Sequence, residues 1–146
     1  MGDFVLLGTF EHNLDEKSRL TIPSKLRNQL GDTIYISKGF EGCLEVRSQN
    51  EFEIWYKEIS QHSSTNSNAR LLARQIFSNS SEIDFDSAGR IKIPTNLLSL
   101  GDIKKSVLIL GIGDKIEIWD IEKYRDYSNQ HLTDLESVAN ELGGAK

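Results

Sequence analysis

The sequence has 146 residues, a formal net charge of −5, and 38% hydrophobic against 27% charged residues. That is the balance of one folded soluble domain, or of two small halves sharing a core, and it excludes a chain disordered throughout. It also excludes a membrane-spanning helix, because the best apolar run, Val107 to Gly113, is far too short and charges recur on both sides of it.

Taken in chain order, Phe4 to Phe10 is rich in strand formers, and Asn13 and Asp15 supply turn chemistry. Arg19 to Ile22 alternates, which directs Leu20 and Ile22 to one face and Arg19 and Thr21 to the other. Pro23 ends that strand, and Ser24 caps a short helix over Ser24 to Leu30. A hairpin follows, Thr33 to Lys38 and Cys43 to Arg47, with glycines at 39 and 42 in its turn. A helix is expected over Asn50 to Ile59, a polar linker over Gln61 to Ser67, and a connecting helix over Asn66 to Phe77. A second alternating strand has Ile91 and Ile93 inward, Arg90 and Lys92 outward, with Pro94 and a Thr95-capped helix to Leu100 behind it. A second hairpin, Ser106 to Leu110 and Lys115 to Trp119, turns at Gly111 to Asp114. Ile121 to Tyr127 and an acidic amphipathic Leu132 to Leu142 complete the helices, and Gly143 to Lys146 is expected to fray.

The chain is an internal repeat. Its two prolines stand in matching surroundings: Asp15-Glu-Lys-Ser-Arg19-Leu-Thr-Ile-Pro23-Ser-Lys-Leu26 against Asp86-Ser-Ala-Gly-Arg90-Ile-Lys-Ile-Pro94-Thr-Asn-Leu97. Downstream, with a one-residue slip, Tyr35 to Gly39 pairs with Val107 to Gly111, and Leu44 to Val46 with Ile116 to Ile118. Two copies are too few for a solenoid and suit a pseudo-symmetric unit in which each half covers the other's apolar face. The expected organisation is a first half over 4–60, a linker and helix over 61–78, a second half over 79–129, and a C-terminal helix and tail over 130–146.

The duplicated Asp-x-x-x-Arg, each copy followed by an apolar-x-apolar-Pro strand end, resembles the MraZ family from about Leu6 to Tyr127. The similarity includes Leu7 to His12, Gly42-Cys43-Leu44 and Gly111 to Trp119. It implies an α+β fold, an AbrB-like barrel of swapped hairpins built from two pseudo-symmetric halves. It further implies closed rings, commonly octamers, that bind G-containing tandem repeats upstream of the division and cell-wall gene cluster, usually as repressors and sometimes as activators. Carried onto this chain, the DNA-contacting loops are Asp15 with Arg19 and Asp86 with Arg90. Ser18 departs from the family's usual glycine, which Gly89 keeps; a positive φ there would strain a serine mildly.

Arginine can donate two parallel hydrogen bonds to guanine O6 and N7, and it also pairs with phosphate. Arg19 and Arg90 are therefore expected to contact DNA, positioned by Asp15 and Asp86, with Lys17, Lys25, Arg27 and Lys92 on phosphates. Judged by spacing alone, a single Asp–Arg pair reads more readily as a hairpin salt bridge, which stabilises little; duplication and the resemblance reverse this for the arginines. The negative net charge does not favour nucleic acid, but the acids concentrate between Asp114 and Lys146 while Asp15 to Arg27 is locally basic. No enzyme, cofactor or metal is expected. His12, His62 and His131 are scattered, no ligand spacing joins them to Cys43, and the lone Gly111-x-Gly113 lies inside a hairpin. Trp55 and Trp119 are expected in the core. The lone Cys43 fits a reducing compartment, and Met1 to Phe4 carries no secretion signal, so a cytoplasmic, nucleoid-associated protein is expected. The competing reading is an AbrB-fold interaction module, antitoxin-like or a scaffold, whose acidic C-terminal residues Asp134, Glu136 and Glu141 would meet a basic partner.

Overall fold

The structure is a computed structural model that describes residues 5–63, 65–131 and 133–143. In chain order the strands are β1 (Leu6–Asn13), β2 (Arg19–Thr21), β3 (Thr33–Lys38), β4 (Leu44–Ser48), β5 (Ser81–Asp84), β6 (Arg90–Lys92), β7 (Ser106–Gly113) and β8 (Ile116–Asp120). The helices are α1 (Ser24–Leu30), α2 (Gln49–Ser63), α3 (Ser67–Phe77), α4 (Thr95–Leu100), α5 (Ile121–His131) and α6 (Leu135–Gly143).

The two halves exchange strands. β1 of the first half lies antiparallel on β7 of the second, from Leu6 opposite Gly113 to Asn13 opposite Ser106. β5 of the second half lies on β3 of the first, and β4 pairs with β8 at the centre. The result is a six-stranded antiparallel sheet, β1-β7-β8-β4-β3-β5, and a separate β2–β6 ladder. This confirms an α+β fold with antiparallel sheets. Closure into a barrel is not seen: among the described residues β1 and β5 are free edges, and the β2–β6 ladder is cut short by Pro23 and Pro94, which have no N–H to continue it.

Each half contributes equivalent side chains to one core. Leu20, Ile22 and Leu26 meet Ile91, Ile93 and Leu97, and Ile34, Ile36, Leu44 and Val46 meet Val107, Ile109, Ile116 and Ile118. Each fully buried Leu or Ile stabilises by about 1.5–3 kcal/mol, so neither half could leave this surface in water. The pairing corrects the repeat alignment of the first hairpin strand. Ile36 is opposite Val46 just as Ile109 is opposite Ile118, so Ile36 corresponds to Ile109. The expected partners Tyr35 and Val107 face opposite sides of the sheet, since Val107 is buried in the core and Tyr35 stacks on Phe52 at 4.5 Å.

Several boundaries differ from expectation for physical reasons. Both glycines expected to turn the second hairpin at Gly111 to Asp114 lie in β7, because β1 pairs along it to Gly113. Gly111 is opposite Gly8, and a Cβ on it would come within 2.6 Å of the Leu7 amide nitrogen. Pro23 and Pro94 occupy the helix-cap positions with no side-chain cap, so Ser24 and Thr95 are first helical residues and not caps. Most of the expected linker is helix: α2 continues to Ser63, and Asn66 caps α3 by accepting from the Asn68 and Ala69 amides at 2.9 and 3.1 Å. Both C-terminal helices expected are present with shifted bounds: α5 runs on to His131, and α6 begins at Leu135 and reaches Gly143. Phe4, Leu132 and the tail at 144–146 lie outside the described residues.

The other face of the sheet carries α2, α3 and α5. Phe77 of α3 packs edge-on to Phe52 and Trp55 of α2 at 6.0 and 5.6 Å. Trp119 packs on Tyr124 and Tyr127 of α5, at 5.0 and 5.2 Å. Trp119 is buried as expected, but in a small cluster apart from the main core, and Trp55 is only half-buried.

Candidate nucleic-acid interface

The two Asp-x-x-x-Arg segments fold into near-identical turns. In the first, the Asp15 amide donates to the Arg19 carbonyl at 3.0 Å and the Ser18 amide donates to the Asp15 carbonyl at 3.0 Å. Asp15 Oδ1 accepts from the Lys17 and Arg19 amides, both at 2.9 Å, and Oδ2 accepts from Arg19 Nε at 2.7 Å. In the second, Asp86 Oδ1 accepts from the Ala88 and Arg90 amides, both at 2.9 Å, and Oδ2 from Arg90 Nε at 2.8 Å. The spacing is explained: an aspartate can tie two amides and a guanidinium only when the arginine returns across a tight turn. These turns require a left-handed residue just before the arginine, Ser18 at φ 62° and Gly89 at φ 75°.

The electrostatics follow from that geometry. The Arg19 amide is the main cause that holds the Asp15 carboxyl below the usual aspartate value; desolvation opposes it, and the Arg19 guanidinium and the Lys17 amide add to the lowering. Arg90 does the same for Asp86. Both aspartates are therefore anionic near neutral pH, and each arginine is held through Nε, which leaves its terminal nitrogens unspent by that bond.

The β2–β6 ladder then aligns the cations. Arg19 lies opposite Lys92, Leu20 opposite Ile91, and Thr21 opposite Arg90. Leu20 and Ile91 go into the core, so Arg19, Thr21, Arg90 and Lys92 must all project from the opposite face. Of the remaining expected contacts, Lys17 is exposed in the first turn and Lys25 on α1. Arg27 is placed differently. Its Nη1 donates to the Ile22 carbonyl at 2.7 Å, and its guanidinium fills the space where a Cβ on Gly89 would sit. It therefore supports the second turn from the first half. Sequence spacing gave no hint of Lys104 and Lys105, which the α4–β7 connection brings beside the first turn; two adjacent lysines after a helix were the only available signal.

A second polar cluster lies on the helix-covered face of the sheet. Glu45 and Arg47 form a buried ion pair at 2.8 Å, with the Arg47 guanidinium 3.6 Å from the centre of the Trp55 ring. Glu117 accepts from the Trp119 indole at 2.8 Å. The strands bring Cys43, Glu45 and Glu117 ligand atoms within 4.8 Å of one another, a grouping that residue spacing did not suggest. Burial, followed by the two carboxylates, pushes the Cys43 thiol well up, and its Sγ donates to the Phe40 carbonyl at 3.3 Å. A metal would need the thiolate that this environment disfavours. His12, His62 and His131 lie on β1, α2 and α5. No described helix is long and apolar enough to cross a membrane.

Fold and site together define a duplicated α+β protein that presents two equivalent aspartate-tethered arginines beside a short cationic ladder. The family model described as "MraZ protein, putative antitoxin-like" matches the chain twice, over residues 5–75 and 76–142. The chain is 50% identical to the transcriptional regulator MraZ of Mesoplasma florum over 139 residues, covering 94% of this chain and 95% of that one. It is 45% identical to that of Mycoplasma mycoides over 133 residues, covering 91% of this chain and 100% of the relative. For the one from Clostridium acetobutylicum the identity is 36% over 138 residues, with 94% and 96% covered. The chain belongs to the MraZ family. The name these relatives carry is that of transcriptional regulators and not of enzymes, in line with the expectation from sequence.

Proposed function

We propose that this protein is a sequence-specific DNA-binding transcriptional regulator, a repressor of the division and cell-wall gene cluster, that reads tandem promoter repeats as a ring oligomer in the cytoplasm. The observation that carries the reading is the outward row of Arg19, Lys92 and Arg90 on β2–β6, with both arginines aimed by aspartates. In this reading Arg19 and Arg90 contact bases or phosphates, Lys17, Lys25 and Lys92 contact phosphates, and Asp15, Asp86 and Arg27 position the turns. One chain has few such groups, so repetition around a ring would raise the effective concentration of each. Exposed apolar side chains, among them Leu71 and Leu72 of α3, Leu7 of β1 and its partner Ile112 of β7, support self-assembly.

The test is fluorescence anisotropy on the duplex upstream of the protein's own gene and on a scrambled duplex, with light scattering to follow assembly. Preference for the native duplex, lost in Arg19→Ala/Arg90→Ala while oligomer size is kept, is the expected result. Equal affinity for both duplexes would discard sequence-specific regulation. It would favour the interaction-module reading, for which the exposed Leu135, Val138 and Leu142 of α6 offer an apolar face.

A further inference from the structure

We infer that the two DNA-contacting turns are unequal, and that the first is extended into a phosphate-binding groove by Lys104 and Lys105 of the opposite half. The inference rests on the DNA-binding reading above and adds residues and a ranking to it.

Structurally equivalent positions around the two turns differ in charge, and at one of them the sign is reversed. The Leu14 amide donates to the Lys105 carbonyl at 2.9 Å, and in the other half the Phe85 amide donates to the Asp32 carbonyl at 3.1 Å. Lys105 beside the first turn thus corresponds to Asp32 beside the second. Asn13 likewise corresponds to Asp84, and Leu98 to Arg27. The cause is the connection between short helix and hairpin. Gly31-Asp32 suffices after α1, whereas Gly101 to Lys105 follows α4 and ends in two lysines. The Lys104 amide donates to Asp120 Oδ1 at 3.2 Å, so the longer connection is held in place.

The groove beside the first turn is lined by Lys17, Arg19, Lys104 and Lys105 against Asp15 and Glu16. Beside the second turn the charged lining is Arg27 against Asp32, Asp84 and Asp86. Lys104 and Lys105 are exposed, and among the described residues the Lys104 ammonium pairs only with Asp102, at 3.7 Å, between side chains that are 72% and 68% accessible. Such a contact does not hold an ammonium away from a phosphate. A phosphate backbone crossing both turns would be attracted at the first flank and repelled at the second. The first turn therefore supplies the larger share of the grip.

The test compares salt dependence of duplex binding for the wild-type chain, Lys104→Gln/Lys105→Gln and the distant control Lys57→Gln. Each lost phosphate contact lowers the slope of log affinity against log salt by about 0.9. The double variant is expected to be shallower by about 2, the control unchanged, and Arg19→Ala is expected to weaken binding more than Arg90→Ala. An unchanged slope in the double variant, or the reverse ranking of the arginines, with wild-type binding intact, overturns the inference and leaves the regulator reading standing. No duplex binding by the wild type overturns both.

Discussion

Arg90 Nη1 lies 3.7 Å from Asp15 Oδ2, so an arginine of the second half reaches the carboxylate of the first. Asp15 faces two guanidinium groups, whereas among the described residues Asp86 pairs with Arg90 alone. The two aspartates are thus not interchangeable. Asp15→Asn is expected to weaken duplex binding more than Asp86→Asn, because it frees both arginines. Anisotropy titrations of the two variants decide it, and a larger loss in Asp86→Asn would contradict the shared carboxylate.

Acid should open the turns. Both aspartates are held below the ordinary value of 3.8, chiefly by the amides of Arg19 and Arg90. A depressed native value means that the unfolded chain takes up protons first, so stability falls with pH. The contribution is full above 3.8 and is lost as pH falls from there through the lower native values. Thermal unfolding followed down through this range should show a smaller acid loss in Asp15→Asn/Asp86→Asn than in wild type. Parallel curves would show that the turns do not contribute.

Ser18 and Gly89 occupy the same left-handed position, but only one of them is glycine. Relief of a non-glycine left-handed residue is worth about 1 kcal/mol. Ser18→Gly is therefore expected to raise the denaturant midpoint. Gly89→Ala should lower it, from its φ of 75° and from overlap of the new Cβ with the Arg27 guanidinium. A neutral Gly89→Ala would mean that Arg27 does not brace the turn.

The Glu45–Arg47 pair is shielded from water, with side chains 4% and 5% accessible. Removing one member strands the other, at a cost of about 3–5 kcal/mol in such settings. Arg47→Ala should lose stability on that scale in urea unfolding, and replacement of both residues by apolar ones should recover much of it. A loss below about 1 kcal/mol would put the pair in the range of exposed ones.

Much of this site was legible because its signals are local. Asp15 and Arg19 are four residues apart, and one turn satisfies their hydrogen bonds, so the same spacing at Asp86 and Arg90 marks a second turn without knowledge of the rest. Alternation at Leu20 and Ile22, and at Ile91 and Ile93, likewise separates the core face from the cationic face. Lys104 and Lys105 were missed because about 90 residues separate them from Asp15 along the chain, and their proximity arises from β1 lying on β7.

By itself the sequence determined the duplication, the elements around each proline, and the two tethered arginines, since propensity, turn chemistry and short-range hydrogen bonds act within a few residues. Only the tertiary structure decided which half each strand joins, that Arg27 braces the opposite turn, that Asp15 meets both arginines, and that equivalent flanks carry Lys105 and Asp32. Those relationships are set by burial of a shared core, which is non-directional and brings together residues whose separation along the chain carries no pattern.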